Sequence, residues 1–181
     1  MFMPAKALKI LLVEDNPGDQ ELVRSYLTSS MDQPVELQCV TSLSAARSAV
    51  DTAECDLVLL DLGLPDADGL ESVGVLRRMG TDVPIVVLTG SADVGAGEEA
   101  LALDAQDYLR KDELDEASLG RSVRYALARS QWQQQYRQQL GASPDGMLVL
   151  DERDVVRFVN RAAEALLQAV PRSIDELPGA V

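Results

Sequence analysis

Histidine is absent from the 181-residue chain. That absence removes Ser-His-Asp and Cys-His catalysis together with imidazole metal sites. It also means that the chain cannot carry a phosphohistidine, so any histidine phosphoryl donor must belong to another protein. Aromatic residues make up only 4% of a chain that is 46% hydrophobic, so the core must be built from Val, Leu, Ile and Ala. An aliphatic core suits buried parallel strands better than an aromatic-rich sandwich. Two cysteines, Cys39 and Cys55, sit in no metal or redox spacing and read as small buried hydrophobes in a reducing cytoplasm. Basic residues are scarce: a net charge of −14 argues against a nucleic-acid surface, which needs clustered Lys and Arg. No run approaches the roughly 18 apolar residues of a membrane helix, and the N-terminus lacks a signal-peptide pattern. The expectation is a soluble, cytoplasmic protein with no membrane or nucleic-acid partner.

What is present is an alternation of apolar runs and helical patterns. Lys9–Val13, Leu57–Leu60 and Ile85–Leu88 are continuous apolar runs bounded by turn or acidic residues, as central parallel strands are. Val35–Val40 alternates apolar and polar residues, as an edge strand does, and the short Asp107–Leu109 reads as a second edge. Two edges and three centres fit a five-stranded sheet of order 2-1-3-4-5. Asn16-Pro17 supplies an N-cap and a first-turn proline to a helix whose apolar face is Leu22, Val23, Tyr26 and Leu27. Leu43, Ala46, Ala49 and Val50 mark a second helix, and Leu70, Val73 and Leu76 a third. A fourth, from about Ala92 to Asp104, carries Gly95 and Gly97, each costing about 1 kcal/mol against alanine, and is expected to be the weakest element. The alternation predicts a doubly wound α/β fold.

From Asp115 to Gly141 a helical pattern runs without a stop. About 26 residues at 1.5 Å each give a rod of about 39 Å, longer than the globule needs. Its first half has an apolar face, Leu119, Val123, Ala126 and Leu127, suited to packing on the sheet; its second half, rich in glutamine around Trp132 and Tyr136, reads either as a solvated helix or as a homodimer contact. The heptad series Leu119, Val123, Ala126, Ser130, Gln133, Arg137 and Leu140 turns polar in its middle.

Acids crowd the carboxyl ends of the central strands: Glu14 and Asp15 after the first, Asp61 after the third. In an open parallel sheet these ends line the ligand crevice. Crowded carboxylates repel unless a hard cation neutralises them, and Mg²⁺ prefers oxygen ligands. Strand 4 ends in Thr89-Gly90, a hydroxyl with no side chain after it, and strand 5 in Arg110-Lys111, which supplies positive charge. A carboxylate nucleophile, a metal and an ammonium together suit phosphoryl transfer through an acyl phosphate. Any one of these acids alone reads as a helix cap or a solvated loop residue; the joint pattern is what is specific.

Leu12–Asn16, Leu60–Gly69, Leu88–Gly90 and Tyr108–Lys111 closely resemble the response-regulator receiver family of two-component phosphorelays, over about residues 6–129. The resemblance implies a flavodoxin-like fold, and the strand order above is the one this family is known for, not an independent deduction. It implies Asp61 as phosphoacceptor and Glu14, Asp15, Asp61 and the Gly63 carbonyl as Mg²⁺ ligands, Asp15 more directly than Glu14. It also implies Thr89 as the switch hydroxyl, Lys111 as partner of the phosphate and of Asp61, and Tyr108 as an aromatic whose rotamer reports phosphorylation; an aromatic that never switches is the plainer reading of Tyr108. A histidine kinase or phosphotransfer protein would be the donor. The family often has a cis proline after the lysine; Asp112 stands there instead, and a non-proline cis bond costs about 2.5–4 kcal/mol. A trans bond and an altered loop shape are therefore expected.

Residues 143–181 restart with Ser143–Gly146, two strand patterns around an acidic turn and a helical stretch from Ala162 to Leu167. They resemble the opening of a PAS sensor domain, an α+β fold. The expected organisation is a receiver domain over 1–129, a helical linker over 130–142 and a partial PAS-like segment over 143–181 belonging to a longer signalling protein. Such a module is no enzyme; it catalyses only its own phosphorylation and dephosphorylation. A phosphatase or phosphotransferase would need a substrate pocket and a dedicated acid or base, neither of which the sequence offers. A pseudo-receiver that only binds partners is disfavoured by the intact set of site residues.

Overall fold

In the computed structural model, residues 6–52, 55–67, 69–78, 83–90, 101, 103–150 and 156–169 are described. They form two compact units, residues 1–130 and 131–181.

In the first unit a sheet of five parallel strands has the order β2-β1-β3-β4-β5. The strands are β1 (Leu8–Val13), β2 (Val35–Val40), β3 (Leu57–Asp61), β4 (Ile85–Thr89) and β5 (Asp107–Arg110). The described helices are α1 (Pro17–Ser30), α2 (Leu43–Thr52), α3 (Glu71–Arg78) and the start of α4 (Glu116–Ala142). The expected fourth helix, from about Ala92 to Asp104, falls mostly outside the described residues. Every residue of β3 and β4 is buried, while β2 alternates between half-buried and exposed, so the central and edge strands fall where their patterns place them.

The two-residue period of a strand divides the core into two layers. Leu11, Val13, Val58, Leu60, Ile85 and Val87 face α2 and α3, meeting Leu43, Ala46, Val73 and Leu76. Ile10, Leu12, Leu57, Leu59, Val86 and Leu88 face α1 and α4, meeting Val23, Leu27, Leu119, Val123 and Ala126. Leu22, expected on the apolar face of α1, is instead exposed, because the stripe that reaches the sheet is carried by Val23 and Leu27 with Tyr26 at its margin. On α4 Leu119, Val123 and Ala126 pack into the core with Leu127 at their margin, as the apolar face predicts, and Ser130 is also buried.

Ends are secured locally and across the chain. Asn16 caps α1 by accepting from the Gly18 N–H at 2.8 Å, with Pro17 in the first turn. Asp66, in the loop after β3, caps α2 by accepting from the Leu43 and Ser44 N–H groups at 2.8 and 3.0 Å. Those two backbone donors hold its carboxyl below the usual aspartate range. Asp115 and Ser118 cap α4 reciprocally: each backbone N–H donates to the other's side chain, at 3.0 and 2.7 Å.

The second unit contains the end of α4, a hairpin of β6 (Leu148–Leu150) and β7 (Val156–Val159), and α5 (Arg161–Ala169). Its organiser is Asn160, which is 2% exposed. The Asn160 side-chain Oδ1 accepts from the N–H groups of Met147 and Ala163 at 2.8 and 2.9 Å, the latter capping α5. The amide donates to the carbonyls of Leu140, Ser143 and Asp145 at 3.1, 3.3 and 2.8 Å. Asn160→Ala strands several of these buried groups, at about 1–3 kcal/mol each. It is expected to speed hydrogen exchange at the Met147 and Ala163 amides at least tenfold while leaving the amides of β1 and β3 unchanged. Equal protection in the variant would remove Asn160 from this role.

Candidate phosphoacceptor site

Glu14, Asp15 and Asp61 are brought together at the carboxyl ends of the neighbouring strands β1 and β3, each offering an oxygen within 4.8 Å of the others'. Asp61 is the last residue of β3 and is 3% exposed, Glu14 is fully buried, and Asp15 faces solvent. The Glu14 backbone N–H extends the ladder by donating to the Val40 carbonyl at 2.9 Å, which anchors the residue before the chain turns into α1. Its side chain turns back to accept from the Asn16 N–H at 3.1 Å, and Gln20 Nε2 donates to its main-chain carbonyl at 2.7 Å.

Lys111 supplies the cation. It opens a 3₁₀ turn, Lys111–Glu113, directly after β5, and all peptide bonds among the described residues are trans, the one before Asp112 included. Its Nζ lies 2.7 Å from Glu14 Oε2, 3.0 Å from Asp19 Oδ2 and 3.1 Å from Asp61 Oδ1. Burial works against the ammonium, but the hydrogen bonds to Glu14, Asp19 and Asp61 outweigh it and hold its pKa above the ordinary lysine range. Glu14 is shifted up: burial penalises its charge, and Lys111 and the Asn16 N–H offset only part of that, while Asp61 adds repulsion.

The neighbouring Arg110 does not reach the cluster. It is half-exposed and pairs with Asp112 and Glu113 at 2.5 and 3.0 Å. Of the two cations expected at the end of β5, Lys111, where the chain leaves the strand for the 3₁₀ turn, is the one that meets the acids.

Thr89 ends β4 and is buried, and its Oγ1 donates to the Leu109 carbonyl over a long 3.4 Å. Asp61 pairs across the ladder with Leu88, one residue before Thr89. Tyr108 is half-buried and packs against the core layer that faces α2 and α3. Gly63 sits beside Asp61: a Cβ there would lie 3.2 Å from Asp61 Oδ2, so the lack of a side chain keeps the carboxylate approachable.

Sequence reasoning missed Asp19. Its position, three residues after the Asn16 cap in the first turn of α1, was a usable signal: that spacing aims an acid back over the helix start. Three carboxylates, Glu14, Asp19 and Asp61, thus meet a single ammonium, and Asp15 adds a fourth acid beside Glu14 and Asp61. An all-oxygen donor set, part buried and with excess negative charge, fits a hard divalent cation such as Mg²⁺.

A family model described as the response regulator receiver domain matches residues 10–124, and one described as a PAS domain matches residues 134–180. The regulatory protein LuxO of Vibrio cholerae is 35% identical over 103 residues, 55% of this chain and 21% of its own length. The sensor histidine kinase GacS of Pseudomonas protegens is 32% identical over 114 residues, 60% of this chain and 12% of that one. The transcriptional regulatory protein BasR of Escherichia coli is 32% identical over 104 residues, 58% of this chain and 46% of that one. The chain therefore spans less than half the length of these three relatives. Among solved structures, a response regulator receiver domain protein from Clostridium thermocellum superposes with a TM-score of 0.61 at 20% identity, covering 70% of this chain and 98% of that one. A CheY-like receiver domain protein from Methanospirillum hungatei gives 0.62 at 18%, covering 71% and 99%. At these identities the structural likeness speaks for the fold.

Proposed function

The chain belongs to the response-regulator receiver family, and from that membership we propose that Asp61 accepts a phosphoryl group from a phosphohistidine on a partner kinase or phosphotransfer protein. The observation that carries this reading is the placement of a buried Asp61 carboxylate 3.1 Å from Lys111 and within 4.8 Å of Glu14 and Asp15. An Asp61 oxygen forms a bond to phosphorus as the donor's nitrogen–phosphorus bond breaks, and its electron pair returns to the imidazole, which takes up a proton. Lys111 offers N–H donors to the transferred oxygens, and Gly63 leaves room for them. Glu14, Asp15, Asp61 and the Gly63 carbonyl would hold Mg²⁺, which when bound offsets the negative charge of both the carboxylates and the phosphoryl oxygens. The module turns over no separate substrate.

Thr89 provides the readout. Its 3.4 Å bond to the Leu109 carbonyl is weak, so the hydroxyl exchanges it readily for a phosphoryl oxygen, and Tyr108 on the adjoining strand follows. The signal then travels along α4 toward the segment that matches the PAS model. On that helix Trp132 and Tyr136 are 77% and 63% exposed, and a homodimer contact would use these aromatics. No helix among the described residues is long and apolar enough to cross a membrane.

Intact-mass spectrometry after incubation with Mg²⁺ and acetyl phosphate tests the reading. One added phosphoryl group, dependent on Mg²⁺, is expected. No adduct, together with no binding of beryllofluoride as a stable mimic, would overturn it.

A further inference from the structure

The Lys111 ammonium has three N–H donors and lies within ion-pair reach of three carboxylates, Glu14 at 2.7 Å, Asp19 at 3.0 Å and Asp61 at 3.1 Å, and its well-directed hydrogen bond goes to Asp19. A phosphoryl group arriving on Asp61 brings new oxygens that need the same donors, so one existing contact must yield. Glu14 is fully buried, and a carboxylate left there without its cation is strongly penalised. Asp61 is the acceptor itself. Asp19 differs from both: its side chain is 36% exposed, so on release it is rehydrated at little cost. It also stands outside the group of carboxylates poised for a metal, which is Glu14, Asp15 and Asp61.

We propose that Asp19 is a positioning residue that holds Lys111 ready before phosphorylation and competes with the incoming phosphoryl group for its ammonium. The inference rests on the phosphoacceptor reading of Asp61 and adds to it a residue that limits how tightly the site takes a phosphoryl group. Two effects of Asp19 share a sign. Its carboxylate occupies a donor that the anion needs, and its charge repels the anion. Removing that carboxylate therefore strengthens anion binding, whereas a merely structural role in α1 would leave binding unchanged or weaken it.

The test is calorimetric titration of the folded chain with beryllofluoride at saturating Mg²⁺, comparing wild type with Asp19→Asn and Asp19→Ala. Glu21→Gln serves as control, because Glu21 lies in the same helix turn but is an exposed partner of Arg24. Both Asp19 variants are expected to bind beryllofluoride about fivefold tighter, the scale of one part-exposed ion pair, with Glu21→Gln unchanged. Equal or weaker binding by the Asp19 variants, with wild type binding normally, would overturn the role of Asp19 and leave the phosphoacceptor reading standing. An equal gain in Glu21→Gln would also overturn it, by reducing the effect to general surface charge. Failure of wild type itself to bind would overturn both.

Discussion

Asp61→Asn is expected to take up no phosphoryl group under conditions where wild type takes up one, and yet to be the more stable protein when Mg²⁺ is absent. The first half follows from chemistry, since an amide oxygen is not the nucleophile that a carboxylate is. The second follows from the charge imbalance of the site. Asparagine keeps an oxygen for Lys111, whose Nζ lies 3.1 Å from Asp61 Oδ1, so the hydrogen bond survives. One negative charge disappears from a cluster in which Asp61 repels Glu14 and crowds Asp15. Relief of that repulsion is expected to raise the free energy of unfolding by about 1 kcal/mol, the equivalent of less than one pKa unit on a neighbouring acid. The same substitution takes a carboxylate out of the group that could hold a metal, and Mg²⁺ affinity is expected to fall at least about tenfold. Intact mass, urea denaturation and a Mg²⁺ titration read the three effects separately. A phosphorylated Asp61→Asn chain would remove Asp61 from the acceptor role.

Lys111→Met is expected to act in the opposite direction on stability. It deletes the one ammonium among Glu14, Asp19 and Asp61 and leaves Glu14 charged in a fully buried position. Breaking a buried pair from one side costs about 3–5 kcal/mol. Lys111 is 23% exposed, so solvent screens part of the loss, and about 2 kcal/mol is expected. Because the folded-state pKa of Lys111 is raised, the contribution is present in full below the ordinary lysine value of about 10.4 and is lost only as pH rises through the folded value. The difference between variant and wild type should therefore shrink in strong base, and it should shrink also toward acid, where Glu14, shifted up by burial and deprived of its cation, takes up a proton. Mg²⁺ should restore more stability to the variant than to wild type, since a divalent cation neutralises the same carboxylates. Phosphoryl uptake is expected to fall sharply, because the transferred oxygens lose their only ammonium partner among the described residues. Urea denaturation with and without Mg²⁺ checks this, and a variant as stable as wild type without Mg²⁺ would show that the three ion pairs are screened to nothing.

Together the two substitutions describe a site that is over-supplied with negative charge for the sake of its chemistry. Glu14, Asp15, Asp19 and Asp61 destabilise one another at rest, and Lys111 corrects only part of that. The imbalance favours a cation.

The sequence by itself determined the strands, their central or edge standing, the capped start of α1 and the pairing of Glu14, Asp15 and Asp61 at one end of the sheet. Each of these is written in residues close together in the chain: a run of four or five apolar side chains, a two-residue alternation, an Asn-Pro step, an acid at a strand end. Tertiary structure alone decided what depends on residues far apart. Asp19 meets Lys111 across 92 positions, and only the crossing of the chain between β1 and β5 brings them together. The resemblance pointed to Lys111 as the cation facing Asp61, but that Arg110 pairs instead with Asp112 and Glu113 is seen only in the folded chain. The cap that Asp66 places on α2, and the five hydrogen bonds that converge on Asn160, were hidden for the same reason. The stripe of α4 that faces the sheet was legible, because Leu119, Val123, Ala126 and Leu127 form one apolar face within a few turns of chain, and that face is the one buried. Local periodicity reports that a face is apolar. What covers that face is settled only when the rest of the chain has folded against it.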